Sequence, residues 1–368
     1  MMLKGKSVIH VITSTRLDRG GPSLSATQLI EALRHSGQDG ILVCPDHEQD
    51  LSRFAPVNSV HYPTIQALLA NEPREMIGGM HIHGVWEWYL HNASKAARQS
   101  RIPYLFSPHG MLEPWALSHR KWKKKLAWWL YQRNDLKRSE FLLATAPSEA
   151  EQFARLGLTN KTVVAPNGIA FPTHLPVEAK RSTPGESSSI RTALFLSRIH
   201  PKKGLGMLAE AWAKVRPQGW RMKVVGPDAD GHRQWVESQV ERLGLRTSWE
   251  FQDAVYGTEK EKVLSNADLF ILPTFSENFG IAVAEALAYR LPVITTTGAP
   301  WQGLVEHRCG WWVAPTVEPI AHALDQATST SSKELSEMGL RGRVWARDEF
   351  AWPTISQRLK EAYELYFP

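Results

Sequence analysis

The chain has 368 residues, 43% of them hydrophobic and 22% charged, with a formal net charge of +6 and two cysteines, Cys44 and Cys309. These proportions exclude a disordered chain and allow two domains of ordinary size. Two cysteines far apart do not indicate a disulfide framework and cannot make a structural zinc site alone.

No apolar run reaches the roughly 18 residues of a membrane span. The first residues lack the apolar core and cleavage site of a signal peptide, so a reducing cytoplasm is the expected compartment. Short β-branched runs then alternate with helix-like stretches, the pattern of parallel sheets with crossover helices. In the first half, strands are expected at 7–12, 40–44, 80–83, 103–106, 141–145 and 162–165. Helices are expected at 23–36, 90–101, 122–136 and 147–156. Residues 172–189 are rich in Pro, Ser and charge and read as an interdomain linker. A second series follows, with strands at 192–196, 221–225, 248–251, 269–272 and 292–295, and helices near 204–215, 231–243, 258–266 and 280–289. The expected fold class is α/β, with two Rossmann-like domains, 1–171 and 190–350, facing across a cleft. A final helix in 351–368 can pack back on the N-terminal domain.

Ligands of doubly wound sheets bind beyond the carboxyl ends of the strands, so post-strand residues come first. Gly20 and Gly21 follow the first strand and open a helix. They allow close backbone approach, and helix-start amides suit an anion, although Ser23 capping a plain loop explains them equally. Arg198 ends the strand at 192–196, and Lys203 precedes the next helix. A guanidinium fork and an ammonium at a helix start suit a diphosphate. Basic loop residues are also commonly just solvated.

The third element runs from Pro273 to Ala288. Glu277 lies in a post-strand loop, and Asn278, Phe279, Gly280 and Ile281 lead into a helix with unpaired first-turn amides. Glu285 sits inside that otherwise apolar helix and needs a partner to justify burial, whether ribose hydroxyls or a local Lys or Arg. Asp228-Ala-Asp230 mimics a metal-binding Asp-x-Asp, but its place after a strand and Gly-Pro favours a turn. His81 and His83 alternate on a strand with no carboxylate nearby, a weak basis for a metal site.

Together these elements resemble the retaining glycosyltransferases of the two-Rossmann GT-B fold, family four (group 1), of the surface-polysaccharide type. The resemblance spans nearly the whole chain. It rests on Glu277 and Glu285 in a Glu-x7-Glu pattern, on Arg198 and Lys203, on the Gly20-Gly21 loop, and on His83-Gly84 and His109-Gly110. It implies that Arg198 and Lys203 bind the donor diphosphate, that Glu285 binds the ribose, and that Glu277 lies beside the donor sugar. It also implies that His109 faces the reacting sugar and that backbone near Val255 holds the base. The segment Thr296-Thr297-Gly298-Ala299-Pro300-Trp301 departs from the pattern of many relatives. The expected donor is a nucleotide-diphosphate sugar, UDP favoured over GDP. No cofactor and no divalent metal are expected.

Residues 119–138 carry eight Lys or Arg against one acid, Asp135, a net of +7 that leaves the rest of the chain near neutral. Trp122, Leu126, Trp129 and Leu130 recur at helical spacing, with Lys123, Lys124 and Lys125 around them and Trp115 close by. Such a helix suits an anionic membrane surface, a core position or nucleic acid. The expectation is a lipid-linked or membrane-proximal glycan acceptor, no nucleic acid, and a peripheral location at the inner face of the cytoplasmic membrane. Two other classes fit the same residues: a nucleotide-sugar 2-epimerase of the same fold, and a non-enzymatic peripheral membrane-binding protein.

Overall fold

The computed structural model describes residues 5–16, 21–46, 61–172 and 190–367, with backbone alone at 21–24. The expected linker, apart from Pro172, and Gly20 lie outside the described residues. The chain divides into two compact units, Met1–Gly168 with Phe350–Pro368, and Ile169–Glu349.

The first unit is built from β1 (Ser7–Val11), α1 (Gly21–His35), β2 (Gly40–Val43), β3 (His61–Tyr62), α2 (Ile65–Asn71), β4 (Ile77–His83) and α3 (Trp88–Gln99). It continues through β5 (Tyr104–Ser107), α4 (Pro114–Ser118), α5 (Lys121–Ala127), α6 (Arg133–Lys137), β6 (Phe141–Ala144), α7 (Pro147–Arg155) and β7 (Lys161–Val164). Its parallel sheet has the order β3-β2-β1-β4-β5-β6-β7.

The second unit contains β8 (Arg191–Leu196), α8 (Leu205–Val215), β9 (Trp220–Val225), α9 (His232–Arg242), β10 (Trp249–Gln252), α10 (Gly257–Ser265) and β11 (Leu269–Leu272). Then come α11 (Ile281–Ala288), β12 (Val293–Thr296), α12 (Gly303–Glu306), β13 (Gly310–Val313), α13 (Val317–Ser329) and α14 (Ser332–Phe350). The sheet order is β10-β9-β8-β11-β12-β13. The edge strands β3 and β13 and the helices α2, α4 and α12 to α14 were not among the expected elements. With two residues, β3 is too short to show a period.

Strand alternation sends successive side chains to opposite faces. In β1, Ile9 and Val11 join one core with Met80 and Ile82 of β4 and with Leu90 and Ala97 of α3. Val8 joins the other, with Leu29 and Leu33 of α1. The last helix, α15 (Trp352–Tyr366), covers that second face through Leu359, Ala362 and Tyr363. Two glycines make room for it. A Cβ on Gly79 would stand 2.3 Å from the Phe367 ring, and one on Gly168 would stand 2.2 Å from Trp352. By the same alternation His10, which pairs in register with His81, turns to the α15 side. That is where His81 meets Tyr363 of α15.

Candidate functional site

In the second unit the strand order reverses between β8 and β11, the place where such sheets bind ligands. The loops after these two strands are laced together. Phe275 N donates to Lys202 O at 2.8 Å, and the Thr274 hydroxyl donates to the same carbonyl at 3.1 Å. Glu277 N donates to Gly298 O, beyond β12, at 2.7 Å. Gly204 stands at φ +74°, and a Cβ there would lie 2.0 Å from Pro273 O. Both the left-handed backbone and the close approach therefore require glycine.

This lacing gathers the candidate residues. Lys203 closes a single 3-10 turn, Pro201–Lys203, whose start is capped by the His200 ring accepting from Lys202 N at 3.0 Å. Its ammonium forms an ion pair with Glu277, the two side chains 12% and 13% exposed. Arg198 is exposed and has no acidic group at ion-pair distance among the described residues. Glu277 leads through Asn278 and Phe279 to Gly280, at φ +82°, and so into α11 at Ile281. Gly280, as the N-cap residue, has no side chain with which to cap that helix. Phe279 is buried, and its carbonyl accepts from the Trp301 indole at 2.5 Å. The departing segment at 296–301 thus holds the start of α11 in place.

Glu285 lies one turn inside α11. Its carboxylate receives the Lys260 ammonium of α10 at 2.5 Å, both side chains partly exposed. Lys260 was missed, because nothing in the spacing of α10 separates it from its solvated neighbours. Val255 is partly buried in the loop between β10 and α10. Asp228 and Asp230 form a turn: Asp228 accepts from Arg233 N at 2.9 Å, and Asp230 takes φ +59°.

In the first unit, Gly21 begins α1. His109, after β5, stands at φ +52° and Gly110 at φ +76°. Glu149, in the first turn of α7, holds this left-handed pair. Its buried carboxylate accepts from Gly110 N at 2.6 Å, from Thr145 N at 2.8 Å and from the Thr145 hydroxyl at 3.0 Å. Glu149 was missed as well, since an acid in a first helical turn reads as an ordinary dipole partner. His109 Nε2 lies 3.2 Å from His83 Nδ1, and burial lowers the His109 pKa to about 4. Ser25, His83, His109, Thr145 and Asn167 line a cavity of about 20 Å³, room for one water.

The basic segment departs from the single helix expected over 122–136. α5 passes through a π-type turn at Trp128–Gln132 into α6. Gln132, Asp135 and Leu136 are buried, and Trp128 packs on the core. Asp135 fastens the segment to α3, accepting from Arg98 at 2.8 Å and from His91 at 2.6 Å. The face turned outward is the apolar one: Trp122 is 81% exposed, Leu126 61%, Trp129 70% and Leu130 71%. Trp115 of α4 is also exposed. Lys123 and Lys125 lie in the open, whereas Lys124 donates to Ala116 O at 2.5 Å and sits over the Trp86 ring. Lys124 is therefore a tie to α4 and not a free surface charge. Among the described residues no helix is long and apolar enough to cross a membrane.

Comparison with known proteins adds sequence families to this geometry. The family described as Glycosyl transferases group 1 matches residues 190–329, and the Glycosyl transferase 4-like domain matches residues 20–168. An uncharacterized glycosyltransferase of Methanocaldococcus jannaschii, MJ1607, is 23% identical over 94% of each chain. The amylovoran biosynthesis glycosyltransferase AmsK of Erwinia amylovora is 28% identical over 46% of this chain and 44% of its own. In fold, the chain is similar to HepE of Anabaena, solved in complex with UDP. The TM-score is 0.75 at 18% identity, covering 98% of this chain and 100% of that one.

Proposed function

The chain belongs to the group 1 glycosyltransferases, family four, enzymes of the GT-B fold that take sugar from a nucleotide-sugar donor, and from that premise we propose that it glycosylates a lipid-linked glycan at an anionic membrane surface during cell-surface polysaccharide synthesis. The observation that carries the acceptor reading is the outward apolar face of Trp122, Leu126, Trp129 and Leu130, flanked by Lys123 and Lys125. A tryptophan-rich face with cationic edges matches the chemistry of the headgroup boundary. Similarity to an amylovoran biosynthesis enzyme supports the polysaccharide setting.

On the donor side, Arg198 and Lys203 bind the diphosphate, Glu285 the ribose and backbone near Val255 the base. Glu277 and the amides from Asn278 to Ile281 lie at the sugar, and His109 faces it. UDP is the favoured nucleotide, supported by the UDP complex of HepE. Cationic side chains and helix-start dipoles stabilise the departing diphosphate, so no divalent metal is needed. Transfer retains the anomeric configuration. The acceptor oxygen bonds to the anomeric carbon on the face the diphosphate leaves, and the acceptor proton passes to the leaving phosphate oxygen.

Two measurements test this. Thermal-shift and turnover assays across UDP-, GDP- and ADP-sugars should single out UDP-sugars, without loss in chelator. Vesicle co-sedimentation should show binding to anionic but not zwitterionic lipid. Replacing Lys123 and Lys125 by Ala should weaken it about thirtyfold, at about 1 kcal/mol per charge. Equal binding by that variant sinks the membrane reading.

A further inference from the structure

Three histidines of the first unit stand in a file. His10 Nδ1 lies 3.1 Å from His83 Nε2, and His83 Nδ1 lies 3.2 Å from His109 Nε2. The file begins at His10 Nε2, which is buried and has no hydrogen-bond partner among the described residues. It ends at His109, the partly exposed ring in the left-handed turn that Glu149 holds. His81 stands beside the file, its ring stacked 3.9 Å from His83. Its two nitrogens are taken by the Tyr363 hydroxyl at 2.7 Å and the Ser107 hydroxyl at 2.6 Å.

Nitrogens of His10, His81 and His83 lie within 4.8 Å of one another, which invites a metal reading. The geometry opposes it. A metal needs in-plane lone pairs converging at about 2.0–2.1 Å. Stacked rings aim their nitrogens side by side, and both nitrogens of His81 are already engaged. Separations of 3.1 and 3.2 Å suit N–H···N hydrogen bonds.

Burial lowers the pKa of all three rings of the file, so each is neutral and carries one ring proton. A file of neutral imidazoles has two registers. In one, His109 Nε2–H donates to His83, His83 donates to His10, and an N–H is left at His10 Nε2, buried with no acceptor. In the other, every Nδ1–H donates toward His109, and His10 keeps only an unused lone pair. A buried orphan donor costs about 1–3 kcal/mol, and orphan N–H groups are rarer in native structures than unfilled acceptors. The second register prevails.

We propose that His10 and His83 are positioning residues whose one-way hydrogen-bond file fixes His109 as the Nδ1–H tautomer, so that His109 meets the donor sugar as a hydrogen-bond donor and not as a base. What His109 touches rests on the function proposed above. Its tautomer is a property of the chain alone, so the two can fail separately.

The test is a long-range proton–nitrogen correlation spectrum of the full chain labelled with nitrogen-15 at histidine, recorded without substrate near neutral pH. His10, His83 and His109 should all carry the proton on Nδ1. In His83→Phe the link is cut, and His109 should move toward the Nε2–H form that free imidazole side chains favour in water. In His83→Gln the amide N–H can still donate to His109 Nε2, and the Nδ1–H form should persist. With UDP-sugar, His83→Phe should lower kcat about tenfold with donor KM nearly unchanged, and His83→Gln should restore most of it. A wild-type His109 protonated on Nε2 overturns the proposal. So does an unchanged His109 in His83→Phe, or stoichiometric zinc bound by these rings. The wild-type spectrum decides even if a variant fails to fold.

Discussion

The Lys203 ammonium is held in an ion pair by the Glu277 carboxylate, 74 residues further along the chain. The group proposed for the diphosphate and the group proposed for the sugar thus neutralise each other across the β8 and β11 loops. The pairing has opposite consequences for stability and for binding.

Removing Lys203 leaves Glu277 mostly buried without its cation. Lys203→Met should cost about 2 kcal/mol, less than the 3–5 of a fully buried pair because both side chains keep some exposure. Adding Glu277→Gln should recover most of that stability in urea denaturation. The double variant should still bind UDP at least about tenfold more weakly, since a charge-assisted phosphate contact is worth about 1.5–3 kcal/mol. Calorimetry with UDP separates the two effects. Full affinity in the double variant contradicts the phosphate role.

Glu149 carries no proposed chemistry, yet it accepts three hydrogen bonds from Gly110 and Thr145. Glu149→Ala should lower stability by about 3 kcal/mol, because three donors lose their acceptor inside the fold. It should also slow turnover by releasing the His109 turn. Denaturant melts and steady-state kinetics on the same preparation check both.

Histidine burial predicts an acid limb of stability. Burial holds His10 at about 3, and His81 and His83 well below 6.5. In the unfolded chain each returns to the ordinary value near 6.5. The unfolded state therefore takes up protons first as pH falls. The stability conferred by the neutral rings is complete above about pH 6.5 and is lost progressively toward pH 3. Urea midpoints measured from pH 8 to pH 4 should fall below 6.5, and His10→Phe should shallow the slope.

The outward face of α5 and the turn after it should be nearly silent in stability. Trp122→Ser and Trp129→Ser remove side chains already in solvent, so each should change stability by no more than about 0.5 kcal/mol. The same pair should abolish co-sedimentation with anionic vesicles. A large loss of stability would mean that the face packs inside the fold.

Much of this was legible in the sequence because it is periodic or local. Strand and helix alternation marks both sheets, and Glu277, Gly280 and Glu285 mark a loop entering a helix. Lys260 and Glu149 were invisible for a different reason. Each is an ordinary residue of a helical turn until a distant element meets it, Lys260 at Glu285 and Glu149 at Gly110. The basic segment shows the converse. Its spacing revealed an apolar face, but a hydrophobic stripe reads alike whether it points into a core or away from one. Asp135, locked to Arg98 and His91 on the other side, decides the matter.

By itself the sequence determined the α/β class, the repeated strand–helix order and the residue types gathered after β8 and β11, because these follow from backbone periodicity and turn chemistry within short windows. Only the tertiary structure decided that Lys203 pairs with Glu277, that Lys260 answers Glu285, and that His10 joins His83 and His109. Each of these joins residues far apart in sequence, and strand register and loop approach are set by packing, which no local window contains.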